Sequence, residues 1–339
     1  MQKKDVRIGD IGELKVLEEI GKHAKPHKLL ELGFGDDAAV FNACNDGDRF
    51  TITTDMLVQG VHFDLNWTDY SELGFKAYHV NASDLAAMGA RPFASFLSIG
   101  VSPLMELEKL TRFYESFAVT ADENGCVIAG GDTVRAKDFT INITLVGHFQ
   151  PGARTLKRSS AKPGDKIFVT GYPGESGMGF QLLIEDYEAE NREEYKKIIQ
   201  RHLRPTARVT EGEILALLDS TGGVIDISDG LYSELGHLSR ESKVQMNVDL
   251  EKLPVSDDLK KICHMEKDLN MDIILFGGED YELLFTSSAS LNDLRKEFEI
   301  RGSNTEIHEI GRVDKGEGSH FFRDGREIKI RNKTYQHFI

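Results

Sequence analysis

Hydrophobic and polar positions change period several times along the chain. Residues 49–54, Arg-Phe-Thr-Ile-Thr-Thr, alternate and predict a strand. Residues 71–89 place Leu73, Phe75, Ala77, Val80 and Leu85 at helical spacing, and Gly89 with the nearby Pro92 supplies a stop. The short apolar run at 93–101 predicts a buried strand, 104–123 an amphipathic helix, and 126–130 and 139–147 two more strands. Residues 151–166 interrupt this alternation with two Pro-Gly pairs around a basic cluster, and read as a linker. Beyond it the pattern predicts a strand at 166–170, helices near 177–190, 193–201 and 207–219, a strand at 223–227, a helix at 230–241 and a strand at 244–250. The tail predicts strands near 272–276, 281–286, 306–313 and 319–330, with a helix near 290–300. The fold class expected is α/β (α+β), in two domains spanning residues 1–150 and 151–339. No internal repeat or low-complexity tract is present.

Composition narrows the classes. With 40% hydrophobic and 29% charged residues the chain is a globular one. No apolar run approaches the roughly 18 residues of a membrane span, and Met1–Arg7 has no apolar stretch behind its charges, so no secretory signal is expected. Cys44, Cys126 and Cys263 lie far apart, which argues against a disulfide framework or zinc cluster and for a reducing cytoplasm. The 41 basic against 56 acidic residues, a net charge of −15, argue against nucleic acid or an anionic membrane as the main partner.

The acidic residues are placed as well as numerous. Asp36-Asp37, Asp55, Asp132, Asp226 with Asp229, and Glu279-Asp280 each stand beside glycines or Thr/Ser residues where a predicted strand gives way to a turn. Ligands of open α/β sheets bind in such places, and carboxylates there offer the hard oxygens that Mg²⁺ prefers. A single Gly-Asp pair is ordinary turn chemistry, and Asp229 also suits the cap of the following helix. Five such turns together read as a phosphate site holding several magnesium ions. Asp84 lies apart, among small residues of a predicted helix, where a solvated carboxylate is an equal alternative. Arg154, Lys157, Arg158, Lys162 and Lys166 crowd the linker, either as solvated charge or as contacts to a nucleotide phosphate. The glycines of 171–179 resemble a phosphate cradle without matching a P-loop, and no kinase or hydrolase signature occurs.

Taken in order, Gly33-Phe-Gly-Asp-Asp-Ala-Ala, Thr53-Thr-Asp-Met-Leu-Val-Gln-Gly-Val-His-Phe, Asn81-Ala-Ser-Asp-Leu-Ala-Ala-Met-Gly-Ala, Gly130-Gly-Asp-Thr, Arg201-His-Leu-Arg-Pro, Asp226-Ile-Ser-Asp-Gly-Leu and Gly277-Gly-Glu-Asp-Tyr-Glu-Leu resemble the thiamine-monophosphate kinase family. That family belongs to an ATP-binding superfamily with aminoimidazole ribonucleotide synthetase, whose two-domain fold the resemblance implies. It also implies transfer of phosphate from ATP to thiamine monophosphate, several Mg²⁺ ions, and pairing of N-terminal ATP/Mg-binding domains into a homodimer. Carried over by motif, the metal ligands are Asp37, Thr53, Thr54, Asp55, Asp84, Asp132, Asp226 and Asp229. ATP contacts are Gly131, Asp132, Arg158 and Ser228, and the thiamine phosphate meets His62, Glu279 and Tyr335. Asn332 stands where the family often has a bulky aromatic.

The chemistry so implied needs no general base. A phosphate monoester has a second pKa of about 6 and already presents an oxyanion near neutral pH, so catalysis reduces to alignment and charge neutralisation. Rival expectations are a purine-pathway synthetase, a selenophosphate synthetase and a non-catalytic Mg-nucleotide regulator. The second is disfavoured because residues 1–35 contain no Cys.

Overall fold

The computed structural model describes residue 15 and residues 28–33, 35–42, 49–185, 193, 195–262 and 269–331. One sheet runs β1 (Leu30–Leu32), β2 (Ala39–Asn42), β3 (Arg49–Val58), β6 (Thr140–His148), β4 (Arg91–Val101), β5 (Val127–Arg135) in spatial order. Its pairings are antiparallel except β4 with β5, which helix α2 (Leu107–Glu123) connects as a crossover. Along β3 the alternation places Thr51, Thr53 and Leu57 inward and Phe50, Thr54 and Met56 outward. The inward face packs under α1 (Tyr70–Ala87). The outward face leaves Phe50, Met56, Phe93 and Phe96 exposed, beside Val127 and Val134 of the edge strand.

A second sheet of seven strands runs β13 (Arg326–Ile328), β12 (Gly318–Arg323), β9 (Gln245–Asp249), β11 (Ile307–Asp314), β7 (Lys166–Thr170), β10 (Leu283–Ser287), β8 (Thr221–Asp226). It is antiparallel apart from β9 with β12. Around it lie α3 (Glu175–Glu185), α4 (Lys196–Leu203), α5 (Val209–Ala216), α6 (Leu231–Ser242), α7 (Asp257–Ile262), α8 (Leu269–Phe276) and α9 (Leu291–Ile300). No helix among the described residues is long and apolar enough to cross a membrane.

Helix α1 joins the two halves. Asp69 caps it, accepting from the Ser71 N–H at 2.8 Å while Glu72 accepts from the Asp69 N–H at 3.2 Å, a reciprocal capping box. It is buried on nearly every side, including Lys76, His79, Asn81 and Ser83, because the first sheet covers one flank and α5 and β8 cover another.

Three sequence expectations change. Residues 272–276 are helical: Ile274 and Leu275 are buried and the segment packs on α3 and α6, and a short apolar run does not distinguish a buried helix from a strand by period. Residues 151–165 are not a solvated linker, since Ala153, Leu156 and Ala161 are buried and the Lys157 carbonyl accepts the Val224 N–H at 3.3 Å. Asp55 and Asp132 lie within strands, β3 and β5, which run several residues further than the alternation predicts.

The packing of α5 on α1 depends on a missing side chain. A Cβ at Gly212 would sit 2.0 Å from the Ala86 carbonyl oxygen, whereas one at Gly236, inside α6, would meet nothing within 4 Å. Gly212→Ala is therefore expected to cost about 1–3 kcal/mol, and Gly236→Ala to add about 0.4–1 kcal/mol. Denaturant unfolding of both variants checks the opposite signs.

Candidate functional site

A cleft of about 660 Å³ opens where the two halves meet. At its inner end Asp37, Asp84 and Asp226 each offer a carboxylate oxygen, all within 4.8 Å of one another. Three separate elements deliver them. Asp37 comes from the turn between β1 and β2, Asp84 from the last turns of α1, and Asp226 from the end of β8. The Thr53 hydroxyl, on the inward face of β3, donates to Asp84. Ser83 Oγ donates to Asp226 Oδ2 at 2.6 Å, tying α1 to the second sheet.

Electrostatics record the crowding. Burial, and then the neighbouring Asp37 charge, push Asp226 up to about 8 and Asp55 up to about 6. Burial, then Asp37, push Asp36 to about 6 as well. Asp84 is held well above the usual range by burial and then by Asp55, Asp226 and Asp37. Arg158 answers part of this: its guanidinium is bidentate on Asp37, with Nε to Oδ2 at 3.1 Å, and Asp37 outweighs the burial that opposes its charge. One half-buried arginine against four or five carboxylates leaves a site suited to cations. Hard oxygens at this density fit Mg²⁺.

The other end of the cleft holds a second charged group. Glu279 sits at φ 62° and Tyr281 at φ 52°, a backbone conformation uncommon for such residues. This turn sends Glu279 toward the cleft, while Asp280 accepts from the Gly174 N–H at 2.7 Å and the Ser176 N–H at 3.0 Å, fixing the start of α3. Lys76 Nζ lies 3.0 Å from Glu279 Oε2 and is only 2% exposed, with His202 Nδ1 3.4 Å from the same oxygen. Burial raises the Glu279 pKa, but the lowering contributions, led by the Lys76 charge, outweigh it and hold the group below its usual value. Burial pushes His202 down to about 3, so its ring is neutral. His62 lines the cleft, and its Nδ1 accepts from the Val58 N–H at 3.2 Å.

Thus Asp37, Thr53, Asp55, Asp84, Asp226 and Arg158 gather at one end, Asp229 and Ser228 line the wall, and His62 and Glu279 lie in the same cleft. Thr54 does not join them: its hydroxyl faces outward, donating to the Ile143 carbonyl at 3.1 Å. Gly131 and Asp132 also stand apart, on the exposed edge strand β5, three strands from Asp55. Register sets Asp132 level with Ser98, Asn142 and Met56 on the outward face. Tyr335 and Asn332 lie outside the described residues.

Sequence reasoning missed Lys76, Ser83 and His202. A lysine inside the apolar pattern of 71–89 was a signal, since lysine is rarely buried unless paired, but its partner lies 203 positions away.

The chain is similar to known proteins along nearly its whole length. Residues 35–149 match the family described as AIR synthase related protein, N-terminal domain, and residues 162–323 its C-terminal domain. The chain is 37% identical over 331 residues to the thiamine-monophosphate kinase of Salmonella typhimurium, covering 96% of this chain and 98% of that one. To the Aquifex aeolicus thiamine-monophosphate kinase it is 33% identical over 337 residues, covering 98% and 100%. Among solved structures, AaThiL complexed with AMPPCP and TMP superposes with a TM-score of 0.85 at 32% identity, covering 99% of this chain and all of that one. By sequence and by fold, the chain belongs to the thiamine-monophosphate kinase family of AIR synthase related proteins.

Proposed function

We propose that the cleft transfers the terminal phosphoryl group of ATP directly, in line, to the phosphate of thiamine monophosphate, giving thiamine diphosphate and ADP. The observation that carries this reading is the convergence of Asp37, Asp84 and Asp226 from both halves of the chain on one point at the end of a cleft large enough for a small organic phosphate. Asp37, Asp55, Asp84, Asp226 and Asp229, with the Thr53 hydroxyl, would hold several Mg²⁺ ions. Bound Mg²⁺ supplies the positive charge under which two anionic phosphates can approach.

The chain's own groups do the rest by position. Ser83 and Thr53 fix the carboxylates through donated hydrogen bonds, so their oxygens are set before ligand arrives. Arg158 balances Asp37, and its guanidinium suits a contact to a nucleotide phosphate. His62 is unsuited to act as a base through Nδ1, whose lone pair is engaged by the Val58 N–H. A neutral His62 ring then carries its proton on Nε2, as a donor to substrate. The monoester oxyanion needs no proton removed.

We further propose a homodimer seated on the outward face of the first sheet, where Phe50, Met56, Phe93 and Phe96 are exposed together. Asp132 and Thr54 face this side, with Gly131 next to Asp132 on the edge strand, so any nucleotide contact they make occurs at the boundary between copies. The widely spaced cysteines, with Cys126 buried and free, support action in a reducing cytoplasm.

ADP release measured with each acceptor tests the reaction. Thiamine monophosphate is expected to support turnover and free thiamine to give none, with activity falling below about pH 6 as the acceptor dianion is lost. Equal turnover of free thiamine would replace this mechanism with general-base chemistry. Asp226→Asn keeps the shape of the site and removes one buried charge, so kcat is expected to drop at least about a hundredfold. The metal-free fold should survive the change, as a thermal melt would record; near-normal turnover at saturating Mg²⁺ would remove Asp226 from the mechanism.

A further inference from the structure

Two cationic partners have a claim on Asp37. It is one of the three carboxylates that meet at the inner end of the cleft, offering an oxygen within 4.8 Å of those of Asp84 and Asp226. It also accepts a forked pair of hydrogen bonds, from Arg158 Nε to Oδ2 at 3.1 Å and from Arg158 Nη2 to Oδ1. The guanidinium therefore engages both oxygens, whichever of them faces the other two carboxylates. The pair is unevenly placed: the Arg158 side chain is 21% exposed and that of Asp37 only 1%. Solvent reaches the guanidinium but not the carboxylate behind it.

The two residues belong to different halves of the chain. Asp37 lies in the turn before β2 of the first sheet. The Arg158 backbone is held by the second half, where its carbonyl accepts from Ser242 Oγ of α6 at 2.7 Å. A Cβ at Gly223 in β8 would come within 3.0 Å of the same carbonyl oxygen. The guanidinium thus pivots on a held backbone, at the end of a long side chain. Other carboxylates lie close to it, since Asp36 Oδ1 is 3.8 Å from Nε and the charge of the buried Glu234 also favours the guanidinium. Its fork matches carboxylate and phosphate alike. A divalent cation ligated by Asp37 would stand a few ångströms from this charge in a half-buried site, where like charges repel strongly.

We infer that Arg158 and the divalent cation are alternative partners of Asp37. The arginine holds Asp37, and with it the turn before β2, until a cation takes those oxygens. The displaced guanidinium then carries its charge to the phosphate of the nucleotide. Cation and nucleotide binding are thereby coupled through one side chain, each easing the other. The last step rests on the kinase reading, whereas the competition for Asp37 rests on the carboxylate cluster alone.

Titration of the nucleotide-free chain with Mg²⁺ alone tests the competition, by calorimetry and by the rise in melting temperature. At about pH 8.5 protons compete least for the carboxylates. Arg158→Gln is expected to bind Mg²⁺ about tenfold more tightly than the parent, and Arg158→Lys, which keeps the charge without the fork, to fall between. Equal or weaker binding by Arg158→Gln would overturn the inference, making the arginine a clamp that helps the cation bind. A second reading comes from the parent chain itself. The Nε–H resonance of Arg158, identified by its loss in Arg158→Lys, should exchange faster with water and move toward the position of a free guanidinium as Mg²⁺ is added. An unmoved resonance at saturating Mg²⁺ would overturn the inference as well. For the last step, Arg158→Gln at saturating Mg²⁺ should raise the KM for ATP about tenfold and leave that for thiamine monophosphate within about twofold. A parent chain that released no ADP with thiamine monophosphate would fell the kinase reading and that step together, while the Mg²⁺ titration would still decide the competition for Asp37.

Discussion

The carboxylates of Asp37, Asp55, Asp84 and Asp226 repel one another at the junction of the two halves, and the surrounding structure is arranged to hold them there. Like charges at a few ångströms, removed from water, cost several kcal/mol unless protons or cations intervene. Arg158 supplies one compensating charge, and the raised pKa values show what the rest do in its place, taking up protons. The site therefore has two ways to be comfortable, protonated or cation-bound. Only the second presents positive charge to a phosphate.

Helix α1 makes that arrangement possible. Lys76, Val80, Ser83 and Asp84 share one face at helical spacing, so one element touches both ends of the cleft. Lys76 reaches Glu279, Ser83 reaches Asp226, and Asp84 enters the carboxylate cluster. The helix is buried on its other sides, which leaves it little freedom to shift. Replacing Lys76 with an apolar residue would strand Glu279, a buried charge without its main partner, and such losses are among the larger ones in proteins. The contact of Ser83 with Asp226 plays a second part, since it holds the two sheets in register through the site itself.

Much of this was legible in the sequence, for reasons that differ by element. The strand and helix order followed from period, and Asp37, Asp84, Asp226 and Asp229 stood out because small residues and turns around a carboxylate mark a close approach. The run at 272–276 misled, because the four consecutive apolar residues Ile273–Phe276 carry no period. The separation of Thr54 and Asp132 from the carboxylate cluster was not legible: strand alternation turns Thr54 away from Thr53 and Asp55, and β5 lies at the far edge of its sheet. Lys76 and His202 were hidden because a buried ion pair is a fact of tertiary distance. The glycines at 277 and 278 marked a turn beside Glu279, but the positive φ of Glu279 and Tyr281 has no local sequence mark.

The central claim, that these carboxylates are strained together until cations join them, is tested most directly by melting the ligand-free chain from about pH 5 to about pH 9 with and without Mg²⁺. In the native state Asp226 holds its proton up to about 8, and Asp36 and Asp55 to about 6, against 3.8 for an ordinary aspartate. Burial holds His79 and His202 at about 3 and His237 at about 4, so these rings take up protons on unfolding below about pH 6.5 and oppose the trend there. From about pH 7 to 8 the proton on Asp226 prevails, and stability is lost as pH rises. The account predicts a melting temperature that falls from about pH 7 to about pH 8 without Mg²⁺, and a gain on adding Mg²⁺ that grows with pH. A metal-free melting temperature that is flat or rising between those two values, or a Mg²⁺ gain independent of pH, would contradict it.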